Sequence, residues 1–466
     1  MACAPARSDS GLPVRRVTSK LMSFGSEGSH LGLARRSRLS SLSRRPSERT
    51  LEEAPLGTTS VPGTVMNFMT SIVGIGACSL SKGLAKAGWM PGFLLLGCSL
   101  SASIIACHLT SWSMDMAQEM GLQSDSAESI AEAALGRRAA LTTAAVSTVD
   151  LLATCIILIV LLGSCCNELA PFLGESEWML VCAILVLFPS FLKDMSGLAN
   201  CSVFGVLAIG VFIVSVLGSV FWGTSWHVLA EVPHDIALLT PGNLAGAAST
   251  FSFSFACAVL VPTMKKDMAC PDSFPLVINI GHVSIAAIYI LIAGAGYLVA
   301  GRDVNDNVLK SLPSEVGATV ANIAVVVNCL VSYPLFLNPV CVQLERLLGI
   351  AEMPPAKELK NRLLFRFLLV AFTWFVARTF PYFSQAVDIT GAVTVTLVCA
   401  LFPVIFFYAL MQKLGRARRL DLSMLAVLIF VLISGGLTFT LGLSYGIADL
   451  LEAMERDRAL AAGLAG

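Results

Sequence analysis

The chain carries little charge, and that scarcity excludes a water-facing exterior. Only 13% of its 466 residues are charged and 56% are hydrophobic, whereas a soluble domain has roughly 25% charged residues and under half apolar ones. The formal net charge is zero, from 31 Lys and Arg against 31 Asp and Glu, so no basic excess points to a nucleic-acid partner. The composition therefore predicts an integral membrane protein whose solvent is the lipid bilayer.

Histidine is also scarce, and its distribution argues against a catalytic centre. The five histidines are dispersed without metal-ligand spacing. The 14 cysteines lie mostly inside apolar runs, where cysteine behaves as a small hydrophobic residue, so that no disulfide framework is expected. We therefore predict no enzyme activity and no cofactor, and a membrane-embedded enzyme is the weakest alternative hypothesis.

The first 60 residues differ from the rest of the chain. They are rich in Ser and Arg, with ten basic against five acidic residues, and cannot bury enough apolar area to offset the entropy of ordering. We predict a disordered basic cytoplasmic tail over 1–60, open to kinase action or contact with anionic lipid. A transit peptide and a tail that only sets topology are the alternatives, and no secretory signal precedes residue 61.

Apolar runs that end at charge, Pro or Gly follow the tail. At about 20 residues per crossing they predict an all-α membrane protein with 11 transmembrane helices. The runs lie near residues 62–84, 88–116, 139–166, 178–192, 198–222, 242–262, 274–300, 315–348, 363–381, 384–412 and 421–447. A short C-terminal tail over 448–466 follows them.

The basic residues orient these helices. If the tail is cytoplasmic, 24 of the 31 Lys and Arg fall on the cytoplasmic side and seven on the other, as the excess of positive charge in cytoplasmic loops requires. This distribution places the N-terminus in the cytoplasm and the C-terminus outside it. The sequence leaves open whether the membrane is the plasma membrane, the vacuole or another endomembrane.

An odd number of crossings per unit implies an inverted repeat. Five helices over 61–222 form a unit whose copy over 242–412 enters from the opposite side, and 421–447 is an added eleventh helix. Helices 1 and 6 of such folds are broken where they bind substrate. The first span contains Val73-Gly74-Ile75-Gly76, and the sixth contains a Phe and Ser alternation before Pro262. Both are therefore predicted to be broken.

Four segments carry a family resemblance. They are Asn67 to Ser81 with Ala87-Gly88-Trp89, Pro262 to Met268 with Pro271 and Phe274, Ser332 to Val340, and Gly391 with Pro403. Together they resemble the amino acid/auxin permease family over about 62–412, nearest to its neutral and vesicular amino acid transporter branches. The resemblance implies the fold of the amino acid–polyamine–organocation transporters. It also implies secondary active transport of amino acids by alternating access, coupled to H⁺ or Na⁺.

The same resemblance implies a substrate site. Backbone amides at Gly74, Ile75 and Gly76 would hold the substrate carboxylate, with Ser71 beside them, because a helix N-terminus offers donors and a positive dipole. Backbone carbonyls near Phe253 and Ser254 would accept hydrogen bonds from the substrate ammonium group.

The resemblance also implies an ion site, at Thr70, Val73 and Ser332. Carbonyl and hydroxyl oxygens suit a hard cation such as Na⁺, and no other metal is expected. The sequence departs from the sodium-coupled branch at Thr70, where Asn is usual, and Cys257-Ala258 replaces a Gly-His pair. The coupling ion therefore stays open between Na⁺ and H⁺.

Ionisable residues inside the spans are further candidates. Asp150, in the third span, is either a proton carrier or a structural carboxylate bonded by a nearby Ser or Thr. His282 is either a proton carrier or a packing residue. Asp388 and Arg378 could pair as a gate at the outer mouth or lie at the interface as solvated side chains. An amino acid-sensing receptor of the same fold is the alternative to a transporter.

Overall fold

The structure is a computed structural model that describes residues 57–191, 202–223 and 231–461. Within these ranges the chain is helical, apart from one isolated parallel bridge between Thr59 and Met268. The predicted N-terminal tail up to residue 56 lies outside the described residues. The predicted C-terminal tail over 448–466 begins as helix, because the last helix continues to Ala461, and residues 462–466 lie outside the described residues.

Fifteen α-helices occur in the described ranges. They are α1 Val61–Ile72, α2 Ile75–Ala87, α3 Trp89–Glu119, α4 Ala127–Leu135, α5 Arg137–Leu169, α6 Glu175–Ser190, α7 Ser202–Gly223, α8 Pro241–Ser254, α9 Val261–Lys266, α10 Phe274–Ala300, α11 Glu315–Leu347, α12 Pro355–Thr379, α13 Phe383–Thr390, α14 Phe402–Lys413 and α15 Leu422–Ala461. Two π-helical segments, Gly391–Val395 and Leu397–Leu401, join α13 to α14.

The all-α membrane architecture agrees with the prediction, whereas the count of eleven spans is supported only in part. By length and composition, eight helices of the described chain can cross a membrane, or nine if α1 and α2 form one bent span. The predicted fourth span corresponds to α6, which has only 16 residues. The predicted ninth corresponds to α12, whose first twelve residues carry five charged side chains. Eleven spans therefore stay a prediction.

The centre of the molecule is built around the two interrupted helices. α2 packs against α8 and α10, α8 also packs against α3 and α15, and α11 packs against α5 and α7. Every residue of α2 except Lys82 is buried, so this helix has no face for lipid. In α15, by contrast, only 22% of the most apolar window is buried. The interrupted helices therefore form the core, and α15 lies at the periphery.

The cysteines mostly behave as their placement predicts. Eleven of those in the described chain are free, and nine of these are buried. Cys270 departs from the expectation, because it is disulfide-bonded. It lies in the turn after α9 rather than inside an apolar run, which is why the hydrophobic argument does not apply to it.

Candidate functional site

The first break lies between α1 and α2, whose axes bend by 54°. Val73 leaves the helical conformation with φ −79° and ψ 91°, and α2 restarts at Ile75. A Cβ at position 74 would lie 2.5 Å from Asn328 Nδ2, so a larger residue there would have to displace this amide. The first amides of α2 have no carbonyl partner within their own helix. They are therefore available as donors at the start of a helix.

The second break follows α8. Phe255, Ala256 and Cys257 separate α8 from a 3₁₀ turn over Ala258–Leu260, and α9 then begins at Val261. Pro262 occupies the first turn of α9, where its missing N–H costs no hydrogen bond. Both spans that the sequence predicts to be broken are thus interrupted in the structure.

The two breaks contact each other directly. A Cβ on Gly76 would lie only 2.8 Å from Ser254 Cα, so α2 and α8 touch through their backbones. Ser254 Oγ donates to Thr250 O at 2.8 Å and lies 3.4 Å from Gly76 O. This close approach places the amino end of α2 beside the carboxyl end of α8, with opposite dipole ends adjacent.

Side chains from two other helices satisfy the carbonyls at the breaks. Tyr289 of α10 places its hydroxyl 2.8 Å from Ile72 O and 2.9 Å from Ser254 O, one carbonyl from each interrupted helix. Asn328 of α11 donates through Nδ2 to Val73 O at 3.0 Å. Buried carbonyls in an interrupted helix need such partners, because no water is available at membrane depth.

A cavity opens where the breaks meet. Its interior volume is about 30 Å³, enough for about two water molecules. Nine predicted site residues line it: Thr70, Ser71, Gly74, Ile75, Gly76, Asp150, Phe253, Ser254 and Ser332. Leu151, Leu158, Val259 and Phe336 are among its apolar walls. The structure therefore gathers residues of five separate helices, α1, α2, α5, α8 and α11, around one small space.

Asp150 is buried in this cavity wall, and a hydroxyl of the π-helical region holds its carboxylate. Thr394 Oγ1 donates to Asp150 Oδ1 at 2.6 Å. Two hydroxyls that are close to Asp150 in sequence have other partners. Thr148 Oγ1 donates to Gln343 Oε1, and Thr154 Oγ1 donates to the backbone carbonyl of Asp150. The partner of the carboxylate thus comes from 244 residues away rather than from its own helix.

The predicted ion-site residues also lie close together. Ser332 Oγ is 3.4 Å from Thr70 O, which brings α11 against α1. Val73 is buried behind the cavity wall, and its carbonyl already accepts from Asn328. The other amide atom, Asn328 Oδ1, is buried and has no hydrogen-bond partner within the described part of the chain. The oxygens present suit a hard cation, but the Val73 carbonyl oxygen already accepts a hydrogen bond from the Asn328 amide.

The predicted pair of Asp388 with Arg378 is wrong. Asp388 is fully buried on α13, forms an ion pair with Lys86 of α2, and accepts from Thr250 Oγ1 of α8 at 2.5 Å. Arg378 is exposed in the last turn of α12 and lies over the Trp374 ring, 5.8 Å from its centroid. The two residues belong to helices that present them in different directions, so proximity in sequence misleads here.

Four further residues of the site were missed from sequence. Lys86, Tyr289, Asn328 and Thr394 supply the contacts described above. Only Asn328 leaves a usable signal, because it lies one helical turn before Ser332 and must share its face. The other three become visible only when helices far apart in sequence are packed together.

The family model described as "Transmembrane amino acid transporter protein" matches residues 57–446. The vesicular GABA transporter of Caenorhabditis elegans is 26% identical over 274 residues, covering 57% of this chain and 56% of that protein. The amino acid transporter AVT1D of Arabidopsis thaliana is 25% identical over 413 residues, covering 84% and 70%. This chain thus spans little more than half of the first relative's length. Both relatives carry transporter names, in agreement with the prediction of a protein that is not an enzyme.

Solved transporters share the fold. The structure of MhsT in complex with L-phenylalanine is similar with a TM-score of 0.58 at 14% identity, covering 85% of this chain and 99% of that one. A Na⁺-coupled sialic acid symporter gives a TM-score of 0.55 at 12% identity, covering 84% and 90%. The sequence resemblance to the amino acid/auxin permeases is confirmed by the family match, and the chain belongs to the transmembrane amino acid transporter family.

Proposed function

We propose that this protein is a secondary active transporter that moves amino acids across a membrane by alternating access. The observation that carries the proposal is the cavity between the two breaks, lined by eight of the residues that the family resemblance implies and by Asp150. Family membership supports an amino acid as the substrate class. A membrane-embedded enzyme lacks any comparable support.

The dipoles at the breaks suit a zwitterion. The amino end of α2, with Gly74 to Gly76, would receive the carboxylate, and the carboxyl end of α8 would receive the ammonium group. Phe253 O and Ser254 O each already accept one hydrogen bond, from Ala256 N and from the Tyr289 hydroxyl, and each keeps a second lone pair. No charged side chain is needed to bind either end of the substrate.

The small volume of the cavity fits a transport cycle. Space for about two waters cannot hold an amino acid, so the helices that carry the breaks must separate to admit one. Asp388 links both of these helices, since it pairs with Lys86 in the last turn of α2 and accepts from Thr250, one turn before the break at the end of α8. We assign this ion pair to an outer gate that opens when the cavity widens.

For the coupling ion, the contacts favour H⁺ through Asp150. Its carboxylate lies in the cavity wall, where it can exchange a proton as the cavity opens to either side. A Na⁺ ion at Thr70, Val73 and Ser332 would compete with the amide hydrogen that Asn328 gives to Val73 O. Rotation of that amide by half a turn would turn Oδ1 toward the carbonyl and supply a fourth oxygen, which keeps Na⁺ as the second candidate.

The proposal includes the predicted topology. The apolar runs give eleven spans, two inverted units of five and an added eleventh helix. The positive-inside distribution puts the N-terminus in the cytoplasm and the C-terminus outside it. Kinase action on the N-terminal tail stays a prediction. A receptor of the same fold would bind amino acids in the same cavity without moving them.

Uptake into proteoliposomes tests these proposals. Purified full-length protein should give saturable uptake of at least one member of a panel containing the twenty common amino acids and GABA, the substrate named in one relative. If H⁺ is coupled, Asp150→Asn abolishes stimulation by a pH gradient, whereas Ser332→Ala leaves it intact. If Na⁺ is coupled, Ser332→Ala abolishes stimulation by a sodium gradient, whereas Asp150→Asn leaves that stimulation intact.

The control is Asp272→Asn, which removes an exposed carboxylate from the turn before α10 and should leave both gradients effective. Saturable binding of an amino acid without any uptake would favour the receptor. Neither binding nor uptake across the panel would contradict the assignment of the cavity.

A further inference from the structure

A second group of polar side chains lies behind the second break, the one between α8 and α9, on the side away from the cavity. Cys107 of α3, Cys257 of the break and His282 of α10 are each fully buried. Cys107 Sγ lies 3.3 Å from Cys257 Sγ, and Cys257 Sγ lies 3.6 Å from His282 Nε2. All three ligand atoms fall within 4.8 Å of one another. We call these three residues the thiol–imidazole cluster.

The spacing of the cluster suits a tetrahedral metal ion. Zinc binds sulfur at about 2.3 Å and imidazole nitrogen at about 2.0–2.1 Å, so neighbouring ligand atoms around it are separated by roughly 3.5–3.8 Å. The two measured separations are close to that range before any metal is bound. The third separation, Cys107 Sγ to His282 Nε2, is at most 4.8 Å, so binding requires these two atoms to approach each other by up to about 1 Å.

His282 presents the correct nitrogen. Its Nδ1 lies 2.9 Å from Ile278 O, and a carbonyl can only accept, so Nδ1 carries the hydrogen of the neutral ring. Nε2 then has a free lone pair that points toward Cys257 and Ser103. A backbone carbonyl that orients the other ring nitrogen in this way is the usual second-shell arrangement around metal-bound histidine.

Ser103 completes the surroundings. Its Oγ lies 3.0 Å from His282 Nε2, 3.5 Å from Cys257 Sγ and 2.8 Å from Phe255 O. A serine hydroxyl has one hydrogen for these acceptors, and donation to Phe255 O leaves Nε2 to accept from the Cys257 thiol, whose proton is lost when a metal binds. The oxygen of Ser103 is then placed to be a fourth ligand or to hold a water in that position.

We infer that the thiol–imidazole cluster is a binding site for Zn²⁺ or another thiolate-preferring divalent cation. Binding would release one proton from each of two thiols, and the resulting thiolates would neutralise the charge of the ion, with the imidazole neutral. A site of zero net charge carries little penalty in a buried, apolar region. Sulfur ligands select zinc-like ions over Na⁺ and Mg²⁺, which prefer oxygen.

A metal ion bound at this site would restrain the second break, between α8 and α9. Cys257 faces α3 and α10, whereas its neighbours Ala256 and Val259 line the central cavity. A bound ion would tie the interrupted segment to two helices that already surround it and would fix the wall that faces the substrate. This inference does not rest on transport, because metal binding can be measured without any substrate.

The experiment uses purified full-length protein in nanodiscs. After incubation with Cd²⁺ or Zn²⁺ and removal of free metal, the wild type should retain one ion per chain and, with Cd²⁺, show thiolate-to-metal charge-transfer absorption. Cys257→Ser and His282→Gln should each weaken retention by at least about tenfold, since even second-shell changes cost 10–100-fold in affinity.

The matched control is Cys182→Ser. Cys182 Sγ lies 3.7 Å from Cys166 Sγ, which makes a second close thiol pair without a histidine. This variant should retain the ion as the wild type does. Loss of the ion in Cys182→Ser, or undiminished retention in Cys257→Ser, would overturn the assignment.

X-ray absorption at the zinc edge of the wild-type protein gives a test that no variant can obscure. The inference predicts two sulfur ligands together with nitrogen or oxygen. A shell made only of oxygen and nitrogen, a shell of four sulfurs, or no zinc retained by the wild type would each refute it.

Discussion

The two helix breaks have the same role in the fold but are kept open by different means. The first is two residues long. Glycine at positions 74 and 76 leaves room for Asn328 and Ser254, which a Cβ at those positions would approach to less than 3 Å. The second, Phe255 to Cys257, contains no glycine and is followed by a 3₁₀ turn. Its carbonyls are held by hydroxyls from α3 and α10.

The difference indicates which changes each break tolerates. At the first break, space is limiting, so adding atoms should be more harmful than removing a hydrogen bond. At the second, the backbone has left the helix without a glycine to permit close approach, so hydrogen bonds from other helices are limiting. Substitutions that add a side chain to a glycine or remove one hydroxyl can separate these two cases.

The largest effect is expected for Gly76→Val. Any Cβ at this position lies 2.8 Å from Ser254 Cα, so α2 and α8 must separate, at a cost of about 1–3 kcal/mol for an overpacked core. Uptake of substrate by proteoliposomes should fall to background, although the protein still inserts. The control is Gly97→Val, where no atom lies within 4 Å. Normal uptake by Gly76→Val would refute the direct contact of the two breaks.

A smaller effect is expected for Tyr289→Phe, which tests the hydroxyl that serves both breaks. The Tyr289 hydroxyl has one hydrogen, and its loss removes the donor that Ile72 O and Ser254 O share. A buried unsatisfied group costs about 1–3 kcal/mol. Uptake should decrease by about tenfold if that cost falls on the transport-competent state.

The matched change is Tyr333→Phe, which removes a buried hydroxyl paired with Thr373 at 2.7 Å, away from both breaks. It should lower thermal stability and leave the uptake rate per folded molecule unchanged. Equal losses of uptake in the two variants would show that Tyr289 has no special role at the breaks.

The smallest effect is expected for Ser103→Ala, which changes only the second break. It removes the bond to Phe255 O, worth about 0.5–1.5 kcal/mol, and should lower uptake by about threefold. Ser101→Ala, on the same helix but exposed and bonded to Gly97 O, should have no effect. A larger loss for Ser103→Ala than for Tyr289→Phe would reverse the order proposed here for the two hydroxyls.

Much of the site could be predicted from the sequence because its cause is local. Residue type weakens both helices through their own backbone, independently of their neighbours. Glycine does so at positions 74 and 76, and proline does so at position 262, so the two breaks could be predicted. The cavity residues of these segments then lie near each other because the fold brings the breaks together. Asn328 could have been added, since it shares a helix face with Ser332.

The misassigned gate shows where sequence reasoning fails. Arg378 is ten residues from Asp388 in the chain, whereas the true partner, Lys86, is 302 residues away. The rotation of α13 and α12 about their axes decides which charges meet, and composition carries no information on that rotation. The same limit hid Thr394, whose hydroxyl holds Asp150.

The sequence by itself determined that lipid is the solvent, that the chain is helical, and where two helices break. These features follow from composition and from residues acting on their own backbone. Tertiary structure alone decided that Cys107, Cys257 and His282 converge, because they come from three segments with no ligand spacing between them. Such contacts depend on how helices are rotated and packed, and only the folded chain fixes both.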